Sequence, residues 1–313
     1  MYKWLIYTYI REKNGLFSSN RYWWNTRVAL INDQYEILKR VQFSTDVYNA
    51  DNTINEIIKV INAFNCHVIG VGMSCPGPLD LIKGKILDTP NLHGNWQGLN
   101  IVEKLRNKLG VSVYLENDAN LAGLAEAIIG EGKDKNIVQY FTVSTGLGAG
   151  LVIDKRIFQG AHGFANEVAN SCMWQDGPRH GSLYPGGIEA ISSGTAIEQR
   201  ARALGLVVSH AGEVNDLANQ GNEIARRIMN DAKVYLANYI ACVQAYIDPN
   251  IIILGGSVAL KIPNFVEDVE KMVKNQVYDV VKKHVDIRKS TLNEDSGLLG
   301  AASLVFTKKL VIL

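Results

Sequence analysis

Leu115-Glu116-Asn117-Asp118-Ala119-Asn120 joins an apolar run, residues 111–115, to a stretch rich in Ala and Leu, residues 121–129. The run reads as a buried strand and the stretch as a helix. The Asn-Asp pair therefore stands at the C-terminal end of a strand and the N-terminus of a helix, which is where ligands bind in open α/β folds. Asn and Asp are also favoured helix caps, and capping alone would account for either Asn117 or Asp118.

Working outward from this junction, the chain alternates strands and helices. Residues 26–31 and 36–43 read as a hairpin turning at Asn32-Asp33-Gln34. Ile54, Ile57, Ile58 and Ile61 recur with a helical period. Residues 68–73 form a buried strand that enters a rigid Ser74-Cys75-Pro76-Gly77-Pro78 loop. A polar loop around Asn91 and Trp96 and an amphipathic helix at 99–109 lead back to the opening stretch.

A second unit begins near Asn136. Residues 137–144 read as a strand, 145–150 as a glycine-rich turn and 151–153 as the returning strand. Two halves that each open with a hairpin suggest a duplicated fold of sheets covered by helices. Residues 164–187 form a long polar loop, uncommon unless functional. A helix at 193–203 is capped by Ser192 or Ser193. The longest helix spans 222–247, with Ile224, Ile228, Tyr235, Tyr239 and Cys242 on one stripe. A buried strand at 251–254 ends in Gly255-Gly256-Ser257, and helices at 263–278 and 298–307 flank a strand near 285–287. The expected division is a smaller N-terminal domain, 1–118, joined by the C-terminal helix at about 298–313, and a larger domain, 119–297.

Composition narrows the function. The chain has 313 residues, 47% hydrophobic and 20% charged, with a formal net charge of +1. Nothing basic enough for a nucleic-acid surface is present, and no apolar run is long enough to span a membrane. Cys66, Cys75, Cys172 and Cys242 are scattered, which favours a reducing cytoplasm over disulfides or a cysteine-rich metal site. Residues 145–150 could offer backbone N–H groups to a phosphate, and Gly255-Gly256 could admit an adenine or ribose. Each signal alone is equally a tight turn.

Taken together and in order, the motifs resemble the ROK family of sugar kinases and repressors. The resemblance runs through Pro76-Gly77-Pro78, Asn91-Leu92, Trp96 and the 116–120 segment. It continues through Val143, Gly146, Leu147, Gly148, Gly150, Leu151, Gly160, Gly163, Ala165 and Glu167, then Ile188-Glu189, Ser193-Gly194-Thr195-Ala196 and Leu254-Gly255-Gly256-Ser257. It covers roughly residues 25–305. It implies an α/β, actin- and hexokinase-like (ribonuclease H-like) duplicated fold with two domains around a cleft. It also implies ATP- and Mg2+-dependent phosphorylation of a hexose, at the 6-hydroxyl, by a cytoplasmic homodimer.

By resemblance, Asp118 is the general base on the sugar hydroxyl. Asn91, Asn117, Glu167, Asn170 and Glu189 are sugar ligands, and Thr145, Gly146, Gly148, Gly255 and Gly256 line the nucleotide site. For Asn170 a loop-bracing role is the alternative. The sugar stays open among glucose, a β-glucoside, N-acetylmannosamine and fructose.

Two departures stand out. Many family members hold a structural zinc with one His and three Cys. Here Asn170 replaces the His, and the segment from His180 to Gly187 has no cysteine, so no zinc is expected and Cys172 reads as a small hydrophobe. The second is at the start. Family kinases open with a strand ending in Asp-x-Gly-Gly-Thr, which binds phosphate and magnesium, and this chain lacks it.

Arg21-Tyr22-Trp23-Trp24 can be encoded CGA-TAT-TGG-TGG, which read one base later gives Asp-Ile-Gly-Gly. The expectation is that a single-base deletion separates residues up to about 24 from the frame of the rest. The gene's own codons test this, because Arg21 must yield Asp in the shifted frame. The alternative is a genuine extension with residues 4–10 as a substitute strand. Either origin leaves weak or no kinase activity. Family repressors add an N-terminal helix-turn-helix domain, for which 24 residues are too few. A sugar-binding protein without catalysis is the remaining alternative.

Overall fold

The structure, a computed structural model, describes residues 4–12, 24–75, 77–87, 89, 92–292 and 295–310, of which 4–12, 24, 309 and 310 in backbone only. The chain divides into two compact units, Met1–Ala125 with Glu294–Leu313, and Glu126–Asn293.

In the first unit, β1 (Trp4–Glu12), β2 (Trp24–Ile31), β3 (Ile37–Ser44), β4 (Val68–Ser74) and β7 (Ser112–Glu116) form one sheet in the order β3-β2-β1-β4-β7. The short strands β5 (Leu79–Asp80) and β6 (Lys85–Ile86) pair separately. The β1-β2 and β2-β3 pairs are antiparallel, while β1-β4 and β4-β7 are parallel. Residues 4–12 thus have partners on both sides, which the sequence alone did not reveal. Without them β2 and β4 would each expose an unpaired edge in the middle of the sheet.

Helices α1 (Ala50–Ala63) and α2 (Ile101–Leu109) cover one face of this sheet. Ile54, Ile57 and Leu105 join Val71, Met73 and Val113 in its core. Helix α2 begins with a reciprocal cap in which Asn100 Oδ1 accepts from Glu103 N and Asn100 Nδ2 donates to Glu103 Oε2. It ends at Gly110 in the left-handed region, φ +68°. The C-terminal helix, Ser296–Leu310, lies on β1 and β4. It can do so because β4 presents Gly70 and Gly72: a Cβ on either would overlap Val305 or the Ala301 carbonyl. Helix α3 (Asp118–Ile128) follows β7, and the division between the units falls within it.

The second unit repeats the plan. Strands β8 (Ile137–Val143), β9 (Leu147–Ile153), β10 (Arg156–Ile157), β11 (Ile251–Gly255) and β12 (Ile287–Lys289) lie in the order β10-β9-β8-β11-β12. The two hairpin pairs are again antiparallel and the two others parallel. The duplication expected from the hairpins is therefore present in the strand order.

The helices of this unit are α4 (Ile188–Ser192), α5 (Gly194–Ala203), α6 (Ala211–Asn219), α7 (Glu223–Ile247), α8 (Ser257–Lys261), α9 (Phe265–Lys274) and α10 (Asp279–Lys282), and the C-terminal helix is then α11. The buried side of α7 carries Ile228, Met229, Ala232, Leu236 and Ile240. Cys242, placed on the apolar stripe by its spacing, is exposed.

The hairpins differ in one respect. In the second unit residues 144–146 close it, since Val143 pairs with Leu147. In the first, residues 13–23 stand between Glu12 and its partner Trp24. The expected turn at 145–150 is also shorter than its glycines suggest: Gly148 and Gly150 lie within β9, opposite Thr142 and Tyr140. A glycine across from a large side chain is accommodated in a strand when the neighbour covers it.

A second hairpin of this unit turns at Asp154 and Lys155, both with positive φ. The turn delivers Lys155 Nζ to four backbone carbonyls: Ala127 at 2.7 Å, Gly132 at 3.1 Å, Lys133 at 2.6 Å and Lys135 at 2.9 Å. One ammonium gathers the whole loop after α3. Replacing it by Met would strand those carbonyls, and Lys155→Met is expected to lower unfolding free energy by about 3 kcal/mol. Urea unfolding measures this, and an unchanged midpoint would count against the role.

Candidate functional site

The site residues of the first unit gather where β4 and β7 end. Ser74 and Glu116 are register partners there. The chain then turns into α3 at Asn117, whose carbonyl accepts the first helical bond from Leu121 N at 3.0 Å. The Asn117 side chain is the cap: Oδ1 accepts from Ala119 N at 2.8 Å and from Asn120 N at 3.5 Å. Asp118 Oδ1 accepts from the adjacent Ala119 N at 2.9 Å, and the residue is exposed. The cap is therefore Asn117.

The Asp118 charge is felt at the buried Cys75. Burial pushes that thiol far up, and the Asp118 charge adds to the shift. Cys75 is thus held as a neutral thiol. Asn91 lies outside the described residues. Its neighbour Gly94 (φ +58°) tucks against the Tyr48 carbonyl, and Trp96 Nε1 donates to Asp46 O at 2.7 Å, which together fasten the 92–96 loop to the segment before α1.

Behind Asn117 and Asp118 sit two residues whose roles were not read from the sequence. Glu116 is 1% exposed, and its Oε1 accepts from Asn117 N at 2.9 Å and from Asn120 Nδ2 at 3.0 Å. The spacing of 116 and 120 resembles an ordinary one-turn pair. Only the strand-to-helix turn brings both donors onto one oxygen.

In the second unit the 144–146 turn is surrounded by three helix starts. Glu189, in α4, places Oε2 2.7 Å from Leu147 N. The first turn of α5 donates from Gly194 N to Ser144 O at 2.7 Å, and its cap is Ser193, whose Oγ accepts from Ala196 N. Ser257, which opens α8, pairs its Oγ with Ser144 Oγ at 3.2 Å.

Each glycine here has a reason internal to the fold. A Cβ on Gly146 would stand 2.7 Å from Glu189 Oε2, one on Gly256 2.5 Å from Val143 O, and one on Gly255 would overlap the Tyr140 hydroxyl. Gly256 also has φ +87°. Thr145, at the tip of the turn, is exposed, and Gly148 is half-buried within β9. The close packing brings the backbone of the turn and the starts of α5 and α8 together, a surface suited to a nucleotide's phosphates. In the first unit, residues 13–23, which stand between the paired strands, contain one glycine and no carboxylate. These residues do not fit a magnesium-phosphate loop.

Glu167 is exposed, and the residue before it, Asn166 (φ +67°), accepts from Gln139 Nε2 at 3.3 Å. Buried Val168 follows and anchors the turn. The loop from here to Glu189 folds back on itself: Ile188 N donates to Ser171 O, Glu189 N to Ala169 O, and Cys172 bridges Gly187. Asn170 Oδ1 accepts from Tyr184 N at 2.7 Å. Trp174 stacks on Tyr235 at 5.1 Å, with the Arg200 guanidinium over its ring, and Arg200 is held by Asp231. Cys172 is exposed, with Sγ 3.6 Å from Pro185 O, and so is not the buried apolar residue its type suggested. His180 Nδ1 is 3.0 Å from Gln199 Oε1. Among the described residues, no group of three or more His, Cys, Asp or Glu side chains could hold a metal ion. Asn170→Ala is expected to lower stability by about 1 kcal/mol, read by thermal melting; a melt identical to the parent's would remove the brace.

Among the described residues no helix is long and apolar enough to cross a membrane. Compared with known proteins, residues 24–308 match the sequence model of the ROK family. The chain is 27% identical over 297 residues to a glucokinase of Thermotoga maritima, covering 89% of this chain and 93% of that one. It is 26% identical to the xylose repressor of Bacillus spizizenii over 238 residues, 76% of this chain and 61% of the repressor. Among solved structures, the ROK hexokinase of Thermus thermophilus superimposes with a TM-score of 0.85 at 26% identity, covering 98% of this chain and 99% of that one. The duplicated sheets are thus those of the actin- and hexokinase-like fold, and with its matched residues running from the second strand to the last helix, the chain belongs to the ROK family.

Proposed function

We propose that this protein is, by descent, an ATP- and Mg2+-dependent kinase of a hexose or hexose derivative that acts at the 6-hydroxyl, and that the chain as written keeps the sugar-binding part with little or no phosphoryl transfer. The observation that carries this is the inequality of the hairpins: residues 144–146 against residues 13–23 at equivalent places in a duplicated fold. Asp118 takes the proton of the sugar hydroxyl, a role that needs an exposed, oriented carboxylate. Asn117 offers its amide N–H, Oδ1 being engaged by the helix. Glu167 and Glu189 accept from sugar hydroxyls, and Asn91 joins them. Asn170 braces the loop through Tyr184 N. The 144–146 turn with Gly255 and Gly256 takes the nucleotide. A bound nucleotide supplies the phosphoryl group; no step is assigned to magnesium, because residues 13–23 do not fit it.

No structural zinc is part of this reading, since the backbone ladder at 169–189 and the Trp174 stack do the bracing. The second reading is a sugar-responsive regulator, which the similarity to a xylose repressor favours. Calorimetric titration with glucose, xylose and N-acetylmannosamine, with and without ATP and magnesium, tests the proposal. Sugar binding without phosphate transfer is the expected result; absence of any sugar binding would overturn it.

A further inference from the structure

We infer that Glu116 and Asn120 are positioning residues of the sugar site, a buried clamp that sets where Asn117 and Asp118 stand; this rests on the reading of Asp118 as the group facing a sugar hydroxyl. A single oxygen, Glu116 Oε1, receives the Asn117 backbone N–H and the Asn120 side-chain amide. These donors flank Asp118 on either side, one at the strand end and one in the first turn of α3. The clamp therefore fixes both ends of the short segment that presents the carboxylate. Neither residue can touch a sugar, since both are buried.

The simpler account is that the pair caps α3, but Asn117 Oδ1 already performs that task. Nor does the clamp serve stability cheaply. A buried carboxylate is a cost to folding. So are two further buried atoms without a partner, Asn120 Oδ1 and Ser74 Oγ, the latter on the register neighbour of Glu116. Apolar side chains would fill the same space at lower cost. Polar groups kept at a cost to folding beside a ligand-facing residue are the mark of a preorganised site.

The test compares the full chain with the double variant Glu116→Leu/Asn120→Leu and with the single variants Asn120→Ala and Glu116→Gln. Thermal melting is measured alongside calorimetric titration with glucose, xylose and N-acetylmannosamine. The double variant is expected to melt close to the parent, and Asn120→Ala below it because the buried Glu116 carboxylate loses a donor; at a temperature where each is fully folded, both are expected to bind the sugar about tenfold more weakly, because the segment is no longer held in place. Glu116→Gln keeps the accepting oxygen and is expected to stay within about threefold of the parent. Parent-like affinity in Asn120→Ala, measured where it is fully folded, overturns the inference, as does a loss of affinity in Glu116→Gln as large as in Asn120→Ala. If the double variant does not fold, the two single variants still decide. If the unaltered chain binds none of the three sugars, the sugar site fails and the inference with it; if it binds and the variants bind equally, the inference alone fails.

Discussion

Incubated with ATP, magnesium and a hexose, the chain as written is expected to phosphorylate sugar at least about a thousandfold more slowly than a frame-restored protein whose first strand ends in Asp-Ile-Gly-Gly, since removing one preorganised donor at a developing charge costs about 10²–10³ in rate. Phosphoryl transfer has little covalent chemistry for the protein to do, so positioning and charge stabilisation supply nearly all of the catalysis. Residues 13–23 include Lys13 and Arg21 but no carboxylate. Asp118 can accept a proton, yet a base alone contributes only a part of the rate. A coupled assay of ADP release on both proteins measures the difference. Robust turnover by the chain as written would sink the expectation and would mean that residues 13–23 hold phosphate by other means.

The second large effect concerns folding. Gly72→Val is expected to destabilise the first unit by about 3 kcal/mol or more, a large share of the 5–15 kcal/mol typical of a domain. The new Cβ would overlap the carbonyl of Ala301 in the middle of α11, which is backbone and cannot swing aside. The helix would have to lift from β4, exposing Val305 and Ala301, both now buried. A Cβ on Gly300 would likewise overlap the Leu121 carbonyl, so α11 is held closely against α3 as well as the sheet. Chemical unfolding of Gly72→Val reads the loss directly; a midpoint equal to the parent's would show that α11 can shift at little cost.

Much of the fold was legible because its elements have strong local signatures. The Ile54, Ile57 and Ile61 spacing became the buried face of α1, and the apolar run 251–254 became the interior strand β11. The misreadings share a cause. Gly148 and Gly150 read as a turn because glycine marks turns locally, but their places in β9 are set by pairing with β8. Cys242 sits on a helical period that continues past the edge of the core, so periodicity places it inside and the packing leaves it out. Residues 4–10, read as a strand only if the extension is genuine, are part of β1, whose pairing with β2 and β4 no local pattern records.

By itself the sequence determined the family, the duplicated α/β architecture, the strand-to-helix junction at 115–120 and the lack of an Asp-x-Gly-Gly-Thr segment. These are properties of residue type and order, which local periodicity and motif spacing record. Tertiary structure alone decided that Asn117 caps α3 in place of Asp118, that Glu116 and Asn120 clamp that turn, that Asn170 is bonded to Tyr184, and that the glycines at 146, 255 and 256 answer to the protein's own packing. Each of these depends on which side-chain atom meets which partner within about 3 Å, a distance at which hydrogen bonds form and steric overlap begins. Local composition leaves the choice between adjacent Asn and Asp open, because either can cap a helix; the bonds made once strand and helix are in place close it.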